Sequence, residues 1–114
     1  MQEWAALFHA LSDPTRLRLV VLLAIVGETC VCELSRALNE PEYKISRHLG
    51  ILRSNGLVKA RREGAWMHYS LSEGRSELEK CLKACFRDCL TGHPLIQEAL
   101  VRLSQKAKTQ GCPA

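Results

Sequence analysis

The chain has 114 residues, one domain's worth and enough for a modest core. With 46% apolar and 25% charged residues it is not a disordered chain, and its longest apolar run, the eight residues Leu19 to Val26, falls far short of the roughly 20 that span a bilayer. The net charge of +4 is concentrated: Arg36 to Arg62 holds seven Lys/Arg (Arg36, Lys44, Arg47, Arg53, Lys59, Arg61, Arg62) against Glu40 and Glu42, which leaves the remainder close to balance.

The N-terminus "MQEWAALFHAL" carries an acid and no basic stretch, so no secretory leader is predicted and the expected location is the cytoplasm. In that compartment six cysteines are expected to be reduced thiols, soft ligands or redox sensors rather than a disulfide framework.

Trp4, Leu7, Phe8 and Leu11 recur at helical spacing and predict a first helix. Ser12 or Asp13 caps the next, with Pro14 in its first turn, where a missing N–H costs nothing. That helix, "PTRLRLVVLLAIV", is apolar almost all round after Arg18 and is expected at the centre of the core; Gly27 ends it. Cys30 to Leu38 predicts a short helix with Val31, Leu34 and Leu38 inward, and Asn39, Glu40 and Pro41 a turn. A helix then begins at Pro41 and stops at Gly56. Its inward set is Ile45, His48, Leu49 and Leu52, and its outward set is Tyr43, Lys44, Arg47 and Gly50.

Beyond Gly56 the period changes to two. "LVKARREGAWMHYSL" alternates on either side of "REGA" and predicts a β-hairpin. Ser76 to Leu90 returns to helix, with a ridge of Leu78, Leu82, Phe86 and Leu90 beside a ridge of Cys81, Cys85 and Cys89. After "GHP", a last amphipathic helix uses Leu95, Ala99, Leu100, Leu103 and Ala107. Residues 1–110 therefore form a single domain, and 111–114 are expected to fray. Two short helices around a tight turn, followed at once by a basic hairpin, make a mainly α fold with a small β-hairpin: a winged helix-turn-helix.

A helix that reads DNA needs an outward face of hydrogen-bonding side chains and an inward face that holds it rigid. The helix after Pro41 offers Tyr43, Lys44, Ser46 and Arg47 near the outer side of its first half. Arg and Lys address guanine edges, Ser is versatile and Tyr reaches phosphate. Arg61 and Arg62 are expected at the hairpin tip, with Arg53 and Lys59 adding phosphate contacts. The competing reading of the basic residues is a solvated face. His48 shares its face with Ile45 and Leu52 and is read as packing.

Cys30 and Cys32 flank Val31. On a regular helix, residues i and i+2 point about 200° apart. Both face one ion only if one lies at the cap or the first turn distorts. A helix N-terminus also favours the thiolate, the form that binds soft ions. Cys32 shares the polar face with Ser35, Arg36 and Asn39, where a small apolar filler has little to do; Cys30 lies near Leu34 and also suits a core.

"LSDPTRLRLVVLL", "ISRHLGILRSNGLVKARREG" and "WMHYSL" resemble the ArsR/SmtB family of bacterial winged-helix repressors, over roughly residues 5–72. The resemblance implies a homodimer formed through terminal helices, an inverted-repeat operator in double-stranded DNA, and release by a metal or metalloid ion. "CVCEL" resembles the C-V-C-[DE]-L box of arsenite sensors and of Cd/Pb sensors, which implies As(III) or Sb(III) as inducer and Cys30 and Cys32 as ligands, with no organic cofactor. Ser35 departs from the pattern, because arsenite sensors often carry a third cysteine there and serine is no soft ligand. Cd/Pb sensors complete the box with N-terminal cysteines, and residues 1–29 hold none. Additional ligands are then sought at Cys81, Cys85, Cys89 and Cys112. The i, i+4, i+8 stripe lets one ion take two adjacent members, and filler at a helix–helix contact is the alternative. Asp88 and His93 are wrongly spaced for a pair on one helix face.

A thiol-redox switch of the same fold is the nearest competing function. A thiol enzyme is disfavoured: the sequence has no C-x-x-C, H-E-x-x-H, G-x-S-x-G or Gly-rich phosphate loop, and no His stands near Cys30 or Cys32 in sequence. A winged helix used only for protein contacts would show no salt-dependent DNA binding.

Overall fold

A computed structural model describes residues 1–74 and 76–105. Ala107, the expected tail 111–114 and Cys112 lie outside the described residues. The order is α1 (Gln2–Leu11), α2 (Pro14–Val26), β1 (Thr29–Cys30), α3 (Val31–Leu38), α4 (Glu42–Ser54), β2 (Val58–Glu63), β3 (Trp66–Leu71), α5 (Glu77–Cys89) and α6 (Pro94–Ser104).

Local chemistry sets these bounds. Asp13 is the α2 N-cap; its Oδ2 accepts from the Thr15 N–H at 2.9 Å and the Arg16 N–H at 3.0 Å, with Pro14 in the first turn. Leu19, Val20, Val21, Leu22 and Leu23 are all buried, so α2 is the central helix, packed by α1, α4, α5, α6 and β3. Gly27 ends it at φ 81°, a conformation suited to glycine. Asn39 closes α3 in the left-handed region at φ 55°, as Asn does more readily than most residues. Pro41 is the residue before α4 rather than its first turn, and Leu34, Ile45, Leu49 and Leu52 lock α3 and α4 into the core at 0% exposure. Ser76 caps α5 through its Oγ, and His93 caps α6 by accepting the Leu95 N–H on Nδ1 at 3.1 Å.

Several expectations need correction. The hairpin is part of a three-stranded antiparallel sheet in the order β1-β3-β2, because Thr29 pairs with Tyr69 and Cys30 with His68. The wing's tip is the two-residue loop Gly64–Ala65 beyond the Glu63–Trp66 pair, so Arg61 and Arg62 lie on the strand opposite His68 and Met67. On α5, Leu82, Phe86 and Leu90 pack against the core, but Leu78 is exposed, as are Cys81, Cys85 and Cys89; the cysteine ridge is not filler at an internal contact. On α6 the core positions are Ile96 and Ala99, with Leu100 and Leu103 partly buried, while Leu95 faces out. On α1, Leu7, Ala10 and Leu11 are buried, Trp4 is half-buried and Phe8 is exposed. No helix among the described residues is long and apolar enough to cross a membrane.

Candidate functional site

Two clusters share one scaffold. The first is the outer face of α4 with the wing. Ile45, His48, Leu49 and Leu52 face the core, which turns Tyr43, Ser46, Arg47 and Arg53 to solvent; Tyr43 is 73% exposed. Lys44 is half-buried and its Nζ donates to Glu40 Oε2 at 3.1 Å, with Arg18 4.0 Å from the same oxygen. Arg62 is exposed on β2. Of the residues expected on the outer side, Tyr43, Ser46, Arg47 and Gly50 are exposed, and Lys44 is drawn against Glu40.

Two arginines of the basic segment are engaged within the chain. Arg61 grips Glu28 in a two-pronged pair, Nη2 to Oε1 at 2.7 Å and Nε to Oε2 at 3.1 Å. The Arg61 hydrogen bond holds the Glu28 carboxyl below its ordinary range, and Glu28 in turn pushes the guanidinium further up. Arg36 does not belong to the basic face: its Nη1 donates to the Arg102 carbonyl and, at 2.8 Å, to the Gln105 carbonyl. Glu28 has no sequence signature, since its partner is 33 residues away and only β1 pairing brings the two together.

His48 is buried on the inner side of α4, with Nδ1 3.3 Å from Arg16 Nη1 and 3.9 Å from Asp13 Oδ2. Burial pushes its pKa below the ordinary value; Asp13 opposes the shift and Arg16, Arg47 and Lys44 add to it. The packing role is the one observed.

The second cluster is the pair of cysteines between β1 and α3. Cys30 is the α3 N-cap in extended backbone (φ −69°, ψ 144°), and Cys32 is in the first turn. The cap resolves the angular problem of a C-x-C on a helix: the two sulfurs stand 2.8 Å apart, and Cys30 Sγ accepts from the Cys32 N–H at 3.4 Å. Cys30 is 1% exposed, and Cys32 is half-buried against the core rather than on an exposed polar face. Burial pushes the Cys30 thiol above its ordinary pKa, outweighing the Cys32 and Glu33 N–H groups that lower it. The expected thiolate preference of the helix N-terminus is therefore overridden at Cys30. Cys32 is disulfide-bonded in this structure, so the ligand chemistry below belongs to the reduced protein.

Ser35 does not complete the pair: its Oγ donates to the Glu40 carbonyl beyond the end of α3. Among the described residues no three or more His, Cys, Asp or Glu are grouped to hold a metal ion. Cys85 hydrogen-bonds Cys89 on the outer face of α5, which raises the Cys85 pKa. Asp88 pairs with Arg87, and His93 is a cap.

The two clusters are mechanically joined. β1 carries Cys30 into the sheet opposite His68 on β3, Glu28 ties the start of β1 to Arg61 on β2, and α3 packs on α4.

Comparison with known proteins places this arrangement. The profile described as "Bacterial regulatory protein, arsR family" matches residues 13–60. The arsenic resistance transcriptional regulator ArsR2 of Pseudomonas putida is 55% identical over 65 residues, 57% of this chain and 56% of its own length. The match thus spans little more than half of that relative. An uncharacterised HTH-type transcriptional regulator of Methanocaldococcus jannaschii is 46% identical over 74 residues, 65% of this chain and 83% of its own. The solved homodimeric winged helix-turn-helix DNA-binding domain of a possible ArsR-family regulator from Mycobacterium bovis superposes with a TM-score of 0.64 at 30% identity, covering 82% of this chain and 86% of that one. A capped helix pair, a wing paired to the strand before the helix-turn-helix, and these matches lead to one conclusion: the chain belongs to the ArsR family of bacterial regulatory proteins.

Proposed function

We propose that this chain is a transcriptional repressor that binds double-stranded operator DNA as a homodimer and leaves it when As(III) or Sb(III) is captured by Cys30 and Cys32. The observation that carries the inducer reading is the 2.8 Å approach of two sulfurs at the cap of the helix that packs on α4. Soft trivalent metalloids prefer thiolates, and two adjacent sulfurs provide two of the usual three ligands.

On the DNA side, Lys44 and Arg47 address base edges in the major groove, Tyr43 and Ser46 take bases or phosphates, and Arg53, Arg61 and Arg62 take phosphates. Homodimerisation through the terminal helices, with one α4 per half-site, suits an inverted-repeat operator. Capture of the ion at the α3 cap changes the geometry of β1 and α3, which are joined to the wing and to α4 respectively. Coupling of this kind is typically on the order of 1–3 kcal/mol.

A thiol-redox switch is the second reading, and the disulfide at Cys32 favours it. A single experiment separates the two. Reduced protein is bound to its own promoter DNA and arsenite is added, for the wild type and Cys32→Ser. Release of the wild type but not the variant supports the arsenite reading. Release by oxidant, reversed by a dithiol and indifferent to arsenite, supports the redox reading. An unchanged arsenite response in Cys32→Ser moves sensing to the Cys81, Cys85 and Cys89 stripe.

A further inference from the structure

The turn between α3 and α4 holds one carboxylate between two cations. Glu40 Oε2 accepts from Lys44 Nζ at 3.1 Å, while Arg18 Nη2 stands 4.0 Å from the same oxygen. The second distance is an ion pair but lies beyond hydrogen-bond reach. Arg18 Nε is closed to solvent and meets no hydrogen-bond partner among the described residues. The Arg18 and Glu40 side chains are only 22% and 25% exposed, so both charges are largely out of water. A buried donor without a partner is costly, and folded chains keep few of them without a use.

The anchoring of Glu40 defines what can move. Its N–H donates to the Ser35 carbonyl at 3.1 Å, and its own carbonyl accepts from Ser35 Oγ. The backbone is pinned on both sides, and the freedom left is in the side chain. A swing of the carboxylate towards Arg18 would meet Nε and Nη2 together, the two-pronged geometry that guanidinium and carboxylate prefer. Arg61 already holds Glu28 with that same pair of nitrogens.

We infer that Arg18 is a positioning residue for operator binding: when Lys44 leaves Glu40 for DNA, Arg18 takes over the carboxylate. The inference rests on the reading above in which Lys44 contacts DNA. Without Arg18, two costs oppose that contact. Lys44 must give up its ion pair, and Glu40 is left as a bare carboxylate at the head of α4, where it repels the approaching phosphates. With Arg18, Glu40 keeps a counter-ion and the orphaned Nε gains its partner. The step is an exchange of ion-pair partners, in which no covalent bond, proton or electron moves. In the free chain the same arrangement parks Lys44 against its own turn.

The test uses the full-length reduced chain and a duplex of its own promoter, with affinity read by fluorescence anisotropy. Arg18→Met keeps an unbranched apolar stem and removes the orphaned donor, so it is expected to fold; its operator affinity is expected to fall about tenfold, the equivalent of roughly 1.4 kcal/mol. In a Glu40→Gln background the same substitution is expected to cost less than about twofold, because no carboxylate is left to neutralise. A structural role for Arg18 would not be relieved in this way. A second measurement does not depend on how Arg18→Met folds. The Nε–H resonance of wild-type Arg18, assigned by its loss in Arg18→Lys, is expected to shift and to exchange more slowly when the duplex is added. Wild-type affinity in Arg18→Met, a loss that persists in the Glu40→Gln background, or an Nε–H resonance unmoved by DNA each overturn the inference while leaving Lys44 on the DNA. Wild-type affinity in Lys44→Gln overturns the inference together with the Lys44 contact beneath it.

Discussion

His48 sits where α4 meets the N-cap of the central helix, 3.3 Å from Arg16 and 3.9 Å from Asp13. Its pKa is lowered from 6.5 by burial, which Asp13 opposes and Arg16, Arg47 and Lys44 reinforce. A histidine depressed on folding is more readily protonated in the unfolded chain. Its neutral form is therefore compatible with full stability above pH about 6.5, and stability is lost as pH falls below that value. Denaturation of the wild type between pH 7 and 5 is expected to show falling stability, and His48→Gln a shallower slope; an identical slope in the two proteins would remove His48 as the source. Asp13 belongs to a lower window, since its pKa is itself lowered from 3.8 even though burial alone would raise it; the Arg16 and Thr15 N–H groups and the charges of His48 and Arg16 pull it down. At this scale the sequence was informative about the packing of His48, because Ile45 and Leu52 share its face. It was silent about Arg16 and Asp13, which reach it across 32 and 35 residues.

At the scale of elements, the two-residue strand β1 does more than its length suggests. It seats Cys30 opposite His68 and brings Glu28 to Arg61. Period-two alternation needs at least four residues to register, so no pattern in the chain announces β1, and the helix signal of α3 extends over Cys30 and masks it. The hairpin, with six residues on each side, was legible for the same reason. Glu28 restrains an arginine that the repressor reading assigns to phosphate, so Glu28→Gln is expected to tighten operator binding by a few-fold and to blunt release by arsenite. Electrophoretic mobility shifts with and without arsenite would check both effects; unchanged affinity together with full release would show that the pair is only a surface contact, as many exposed pairs are. Arg47 provides the calibration. Arg47 is exposed on α4, and Arg47→Ala is expected to cost operator affinity by about 1–3 kcal/mol without loss of fold.

For the whole molecule, the question is what covers the apolar surface that one chain leaves open. Phe8 on α1 is 47% exposed and Leu78 on α5 is 39% exposed, and both helices lie against α2. The periodicity of α5 showed two apolar ridges side by side, Leu/Phe and Cys, but periodicity cannot say which ridge a neighbouring helix takes. The answer depends on how α2 is turned, and α2 is apolar nearly all round. The fold settles it by packing Leu82, Phe86 and Leu90 inward and leaving Leu78 with the three cysteines outside. An outer face of that composition on a chain of 114 residues fits a partner subunit better than water. Sedimentation of the reduced protein is therefore expected to give a dimer, and Phe8→Asp to shift it towards monomer by placing a charge in a desolvated contact. The consequence for DNA is specific. A dimer that holds two α4 helices on one operator binds each half-site with the effective concentration set by its partner, so Phe8→Asp is expected to weaken binding to a full operator far more than to a single half-site. Equal losses on both would place Phe8 in the folding of the protomer, and a wild type that sediments as a monomer would remove the two-fold reading of the operator altogether.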